Sequence, residues 1–367
     1  MAADPRRRAR SAPVAGQLFR SALRRSPDQI RHVRAVRRGS ADALTARVYD
    51  QVERDFGLLA PPTALHSAAP GPLAASWLIL RESLVADGLV PRPAKEAVAA
   101  AVSLSNSCPY CVQVHSSAVH GLTGAADAGA LAADQLAELT DPQSRQLAEW
   151  ARRSRQRATA GLERPFTDAE APEVIGTAAT FHYLNRMVNI FLGDSPLPAN
   201  LPTAARSHAG RVLGWYMGMV ADTAHPAGRS LFLLEPAEPA PDLNWAIGNP
   251  NVLAAFARAS AAVDAAGAQY VPDPVRELVL SSLRDWDGAD PGLTGWPTDV
   301  LASLPDPDRP VGRLAMLAAF ASYRVDHTVI DLCRGRGHES DDEALISITA
   351  WASLAAARQI ASWHDAK

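Results

Sequence analysis

The chain has 367 residues, 47% of them hydrophobic, enough to fill a core in each of two ordinary domains, and this excludes a disordered polypeptide. Its formal net charge of -3 hides an asymmetry: the first 38 residues hold eleven arginines against Asp4 and Asp28, about +9, which leaves about -12 for the rest. So acidic a body excludes nucleic-acid binding on charge grounds, and three cysteines in a chain this long exclude a disulfide framework.

In chain order, residues 1–40 read as a basic, solvated and poorly ordered arm, and contact with nucleic acid or membrane through residues 1–38 is not expected. No apolar run approaches the roughly 18 residues that span a bilayer, and no secretory signal follows the arm, so a cytoplasmic protein is expected. Helical periodicity then dominates, and no convincing run of strand residues interrupts it. The pattern predicts helices over Leu44–Phe56, Pro72–Ala86, Ala94–Ser103, Cys108–Gly121, Ala132–Gln156, Asp168–Leu192 and Ala204–Asp222. These make a first lobe over 41–222. Prolines 226, 236, 239, 241 and 250 mark 223–250 as a linker, and 251–367 reads as a second lobe.

That second lobe resembles a worn copy of the first. Val90-Pro-Arg-Pro-Ala-Lys-Glu96 aligns with Val271-Pro-Asp-Pro-Val-Arg-Glu277, and Thr167-Asp-Ala-Glu170 aligns with Ser340-Asp-Asp-Glu343, two anchors in the same order. At the first anchor's offset, Cys108, Cys111 and His115 fall on Ala289, Gly292 and Trp296. The expectation is an all-α architecture of two tandem lobes, the second degenerate, with its lone Cys333 a small core or surface residue.

Chemistry concentrates between Glu96 and His115. Ser105, Asn106 and Ser107 are cap-forming residues and Pro109 suits a first helical turn, so a helix is predicted to start near Cys108. Backbone N–H groups at such a start favour a thiolate. At about 100° per residue, Cys108, Cys111 and His115 share a sector of about 60°, while His120 points away from it. Glu96 lies about 18 Å off along a continuous helix and joins them only if the chain reverses at 103–107. A histidine one turn from Cys111 can take its proton, and a carboxylate can keep that imidazole basic. Tetrahedral zinc would need a fourth ligand beyond Cys108, Cys111 and His115, so redox chemistry is the favoured reading. His182, on a long apolar helix, reads as a satisfied core histidine.

Glu, eleven residues, Cys-x-x-Cys, three residues, His resembles the active-site pattern of the alkylhydroperoxidase D-like group of the carboxymuconolactone decarboxylase family, and the Asn106-Ser-Cys-Pro-Tyr-Cys111 stretch is similar to its peroxidase-related members. The resemblance implies a helical bundle and hydroperoxide reduction by a cysteine pair, without bound metal, flavin or other cofactor. It implies Cys111 as attacking thiol, Cys108 as the more exposed partner that meets an external dithiol or lipoyl-type donor protein, and Glu96 with His115 as a proton relay. A homo-oligomer is expected. In the founding type a histidine stands between the cysteines, where this chain has Tyr110. Alternatives are lactone decarboxylation, which needs no cysteine pair, and a non-catalytic redox sensor or scaffold whose basic arm finds a partner.

Overall fold

The computed structural model describes residues 29–161, 163–197, 209–292, 295–334 and 341–365, apart from 211, 213, 217, 221 and 222. Most of the basic arm, residues 1–28, lies outside the described residues. Its last stretch runs along the body: the Arg31 N–H donates to Phe191 O (2.8 Å) and the Arg34 N–H to Asp342 Oδ2 (2.8 Å).

No strand occurs among the described residues, and the architecture is all-α. Helices of eight residues or more are numbered in chain order. Helix α1 spans Ala43–Asp55, capped by Asp42, whose carboxylate accepts from the N–H groups of Leu44 and Thr45. Helix α2, Pro70–Leu80, continues into a π-helical segment, Arg81–Val85. Helices α3 (Arg92–Ser105), α4 (Pro109–Leu122) and α5 (Ala125–Ala132) follow. One helix was expected over Ala132–Gln156, and the chain breaks it. Pro142 brings no N–H, Asp141 captures the Ser144 N–H, and Asp127 takes the Thr140 N–H at 2.8 Å, so α6 starts afresh as Pro142–Arg153.

Helix α7 spans Ala171–Phe191 behind a capping box: Thr167 N–H donates to Glu170 Oε2 (2.9 Å) and Glu170 N–H to Thr167 Oγ1 (3.3 Å). Of the helix expected over Ala204–Asp222, residues 204–208 lie outside the described residues, and the described residues between 209 and 220 are helical. They cross the end of α4 with backbone against backbone: a Cβ on Gly121 would meet Gly214 O at 2.0 Å, and one on Gly218 would meet Gly121 O at 2.6 Å. Then come α8 (Pro250–Tyr270), α9 (Asp273–Asp285), α10 (Arg309–Phe320), α11 (His327–Arg334) and α12 (Asp341–Ser362).

The two segments read as lobes share one continuous hydrophobic core, in which α8 packs on α2 and α12 on α7. Residues 223–250 are packed as well. Leu233, Leu243, Trp245 and Ala246 are buried, and Glu82 holds the Gly228 N–H (2.6 Å) and the Ser230 hydroxyl (2.6 Å). Residues 342–362 are long and apolar enough to cross a membrane by composition, but 83% of the window is buried among other helices. At the repeat's anchors the backbone agrees: Pro91 and Pro272 precede α3 and α9 with φ, ψ of -59°, 144° and -56°, 146°. Of the second anchor, Ser340 lies outside the described residues. Among the described residues of the second half no helix matches α4: Ala289 and Gly292 lie in irregular backbone and Trp296 in a turn.

Candidate active site

The site is built on the reversal between α3 and α4. Ser107 adopts φ +52°, the Cys108 N–H reaches back to Ser103 O (2.9 Å), and the Ser107 N–H to Leu104 O (3.3 Å). This pair of bonds is a Schellman closure with a serine in the left-handed position that glycine usually takes. Helix α7 holds the turn: the Asn106 amide donates to His182 Nδ1 and to Asn185 Oδ1, each at 3.0 Å, and Asn189 donates to Asn106 O at 3.1 Å. Cys108 then occupies the N-cap of α4 and Cys111 its first turn.

The reversal carries Glu96 to His115. Glu96 is fully buried on α3, its Oε2 is 2.6 Å from His115 Nδ1, and its Oε1 is 2.7 Å from Arg92 Nε. Burial alone would raise the carboxyl pKa, but the Arg92 guanidinium and His115 outweigh it and bring it to about 2. Glu96 is therefore a carboxylate at neutral pH. Because His115 Nδ1 faces Glu96, its Nε2 is the nitrogen left to exchange a proton, and the ring is fixed against Phe181, edge to face at 4.4 Å. Glu277 has no such setting: it is exposed on α9.

The thiols depart from expectation in two respects. Cys108 is not an exposed thiol, since it is 1% exposed and Cys111 3%. Nor is Cys111 ionised at rest. Burial, and then the adjoining Cys108 sulfur, push its pKa well above the usual thiol value, and a hydrogen bond from Asn185 opposes them without winning. The helix start, which favours an anion, is outweighed because both sulfurs sit in the core. Tyr110, between them, is buried too, and its hydroxyl stays protonated.

Sequence reasoning missed Asn106, Asn185 and Asn189 as parts of the site. Their signal was a polar stripe on an apolar helix, His182, Asn185 and Asn189, at spacings of three and four. Asn185 has one orientation, because its Oδ1 accepts from Asn106 and its Nδ2 donates to Ser103 Oγ at 3.0 Å. The amide's other N–H is thus left for the Cys111 sulfur. His182 is satisfied at both nitrogens, by Asn106 and by Ser154 Oγ (2.9 Å), and burial with the nearby charges of Arg186 and Arg155 keeps it neutral.

Beside α4 lies an open groove of about 940 Å³, whose lining includes Cys108 but not Cys111, His115 or Glu96. His120, expected to point away from the thiols, lines it as well. Among the described residues no group of three or more His, Cys, Asp or Glu side chains is placed to hold a metal ion.

Residues 71–153, which contain all four candidate residues, match the carboxymuconolactone decarboxylase family. Over 338 residues, 92% of this chain and 95% of the relative, the sequence is 34% identical to a Mycobacterium tuberculosis protein named alkyl hydroperoxide reductase.

Proposed function

Given that this chain belongs to the carboxymuconolactone decarboxylase family, in its alkylhydroperoxidase D-like group, we propose that it is a thiol-dependent peroxidase that reduces hydroperoxides through Cys108 and Cys111. The observation that carries this reading is the Glu96–His115 contact of 2.6 Å, made out of solvent between α3 and the helix that bears both thiols. A thiol kept protonated by burial needs a base before it can attack. His115 Nε2 is that base, and the Glu96 carboxylate stabilises the imidazolium that forms.

One sulfur attacks the terminal oxygen of the hydroperoxide. The S–O bond forms, the O–O bond breaks, and the leaving alkoxide takes a proton to become the alcohol. The second thiol displaces water from the sulfenic acid, so the pair has given up two electrons and holds a disulfide. An external dithiol, of lipoyl type by the family resemblance, resets it by exchange.

Stopped-flow measurement of peroxide consumption with a dithiol donor tests the reading. Cys108→Ser and Cys111→Ser are each expected to abolish turnover. Glu96→Gln is expected to slow it by about 10²-fold or more, the usual worth of a positioned proton relay. Full turnover in Cys111→Ser would exclude the assignment.

A further inference from the structure

Arg92 opens α3, one turn before Glu96, and the local rules of helices do not account for it. A cation in the first turn faces the positive end of the helix dipole, and a basic residue four before an acidic one is the weaker order of such a pair. Nor is Arg92 a solvated surface charge: its side chain is 14% exposed, and that of Glu96 0%. A guanidinium withdrawn this far from water needs a partner.

The second half of the chain supplies a comparison. When Val90-Pro-Arg-Pro is set on Val271-Pro-Asp-Pro, Arg92 falls on Asp273 and Glu96 on Glu277. Asp273, an acid in the first turn of α9, is the kind of residue that the dipole favours there, and it and Glu277 are both exposed. Where the cysteine pair and His115 have no counterpart, the helix starts in the ordinary way. Where they are present, it starts with an arginine.

The geometry gives this arginine a task. Glu96 has two oxygens and two partners: Arg92 Nε donates to Oε1 at 2.7 Å, and His115 Nδ1 lies 2.6 Å from Oε2. The last torsion of a glutamate is soft, so a second anchor on Oε1 fixes the carboxylate plane with Oε2 on the ring. Arg92 also supplies the positive charge that faces Glu96, because Lys95, the next cation along α3, is turned to Glu173 (2.9 Å) and Ala86 O (3.1 Å). That charge decides which ring nitrogen is bare. Facing a carboxylate, Nδ1 carries the proton of the neutral ring and Nε2 can accept another. Burial favours the neutral acid, and a protonated Glu96 would donate to Nδ1, move the ring proton to Nε2 and block the base.

We propose that Arg92 is a positioning residue of the relay, acting through Glu96: it holds the carboxylate ionised and in the plane that keeps the proton of the neutral His115 ring on Nδ1. The thiol proton then passes to Nε2, and Arg92 and Glu96 give up none. The effect on rate rests on the peroxidase reading, whereas the effect on the histidine does not.

Two measurements on the full-length protein test this. The first is the single-turnover rate of disulfide formation by the reduced protein with tert-butyl hydroperoxide, read by mass spectrometry. Arg92→Met should slow it about tenfold or more, and Arg92→Lys, which keeps the charge, by less than about threefold. Arg92→Met combined with Glu96→Gln should be no slower than Glu96→Gln alone, since Arg92 works through Glu96. The second is the tautomer of the neutral His115 ring, read from its nitrogen chemical shifts and assigned with His115→Gln. The proton should lie on Nδ1 in the unmodified protein and on Nε2 in Arg92→Met. Thermal melts establish folding, and Arg92→Gln carries the same expectations if Arg92→Met does not fold. A lower melting temperature with rate and tautomer unchanged would make Arg92 a structural ion pair and overturn the proposal. Additive losses in the combined variant, or an Nε2 proton in the unmodified protein, would overturn it too. If the peroxide does not oxidise the unmodified protein, the peroxidase reading fails, and the tautomer still decides the role of Arg92.

Discussion

At the scale of single residues, the site joins an acid that its partners keep ionised against burial to a thiol that burial keeps protonated at rest. Glu96 withstands burial because the Arg92 guanidinium pairs with it at 2.7 Å and His115 hydrogen-bonds it at 2.6 Å. A carboxyl held at about 2 when folded, against about 4.3 in an unfolded chain, stabilises the fold by about 3 kcal/mol at neutral pH. The folded pKa is the lower one, so this contribution is complete above the unfolded value and is lost as pH falls from about 4.5 towards 2. Urea unfolding across that window should show the loss, and Glu96→Gln should flatten it; an equal acid slope in the variant would contradict the ion pair. The group that favours the Cys111 thiolate is the Asn185 amide. Asn185→Leu is expected to raise the thiol pKa further, because the hydrogen bond that opposes burial is lost, read from the pH dependence of Cys111 alkylation in Cys108→Ala. A structural role alone would lower the melting temperature and leave that profile in place.

At the scale of elements, several helix starts were legible from local rules, although the Asp141-Pro142 start of α6 was not among them. Asp42 caps α1, the Thr167–Glu170 box precedes α7, and a helix starts at Cys108-Pro109 as expected. The expected helix over Ala132–Gln156 was not found because periodicity alone could not weigh Asp127, whose carboxylate fixes the Thr140 turn from thirteen residues away. The crossing at Gly121, Gly214 and Gly218 was equally hidden, since close approach of two backbones leaves no pattern in either helix alone. Gly121→Ala drives a methyl into Gly214 O and should cost about 1–3 kcal/mol in urea unfolding, whereas Gly129→Ala, with nothing in contact, should be neutral or stabilising. Equal effects at the two glycines would contradict the crossing.

At the scale of the whole molecule, the two segments that read as lobes bury their longest helices against one another. Nearly every residue of α7 is buried, partly by α12, and Arg186 on α7 donates to Ala319 O at 2.9 Å across the division. A fragment ending at residue 248 would leave the α7 and α2 faces in water. It is expected to lack a cooperative urea transition, while the full chain shows one; a cooperative fragment would indicate separable lobes. By itself the sequence determined the all-helical class and the family, because periodicity, capping and a tight motif are properties of neighbours along the chain. Only the tertiary structure decided that Glu96 meets His115, that Asn106, Asn185 and Asn189 hold the turn, that both sulfurs lie in the core, and that the thiol facing the groove is Cys108. Each of these depends on which helix covers which, and the burial that keeps Cys111 protonated exists only once the helices have packed.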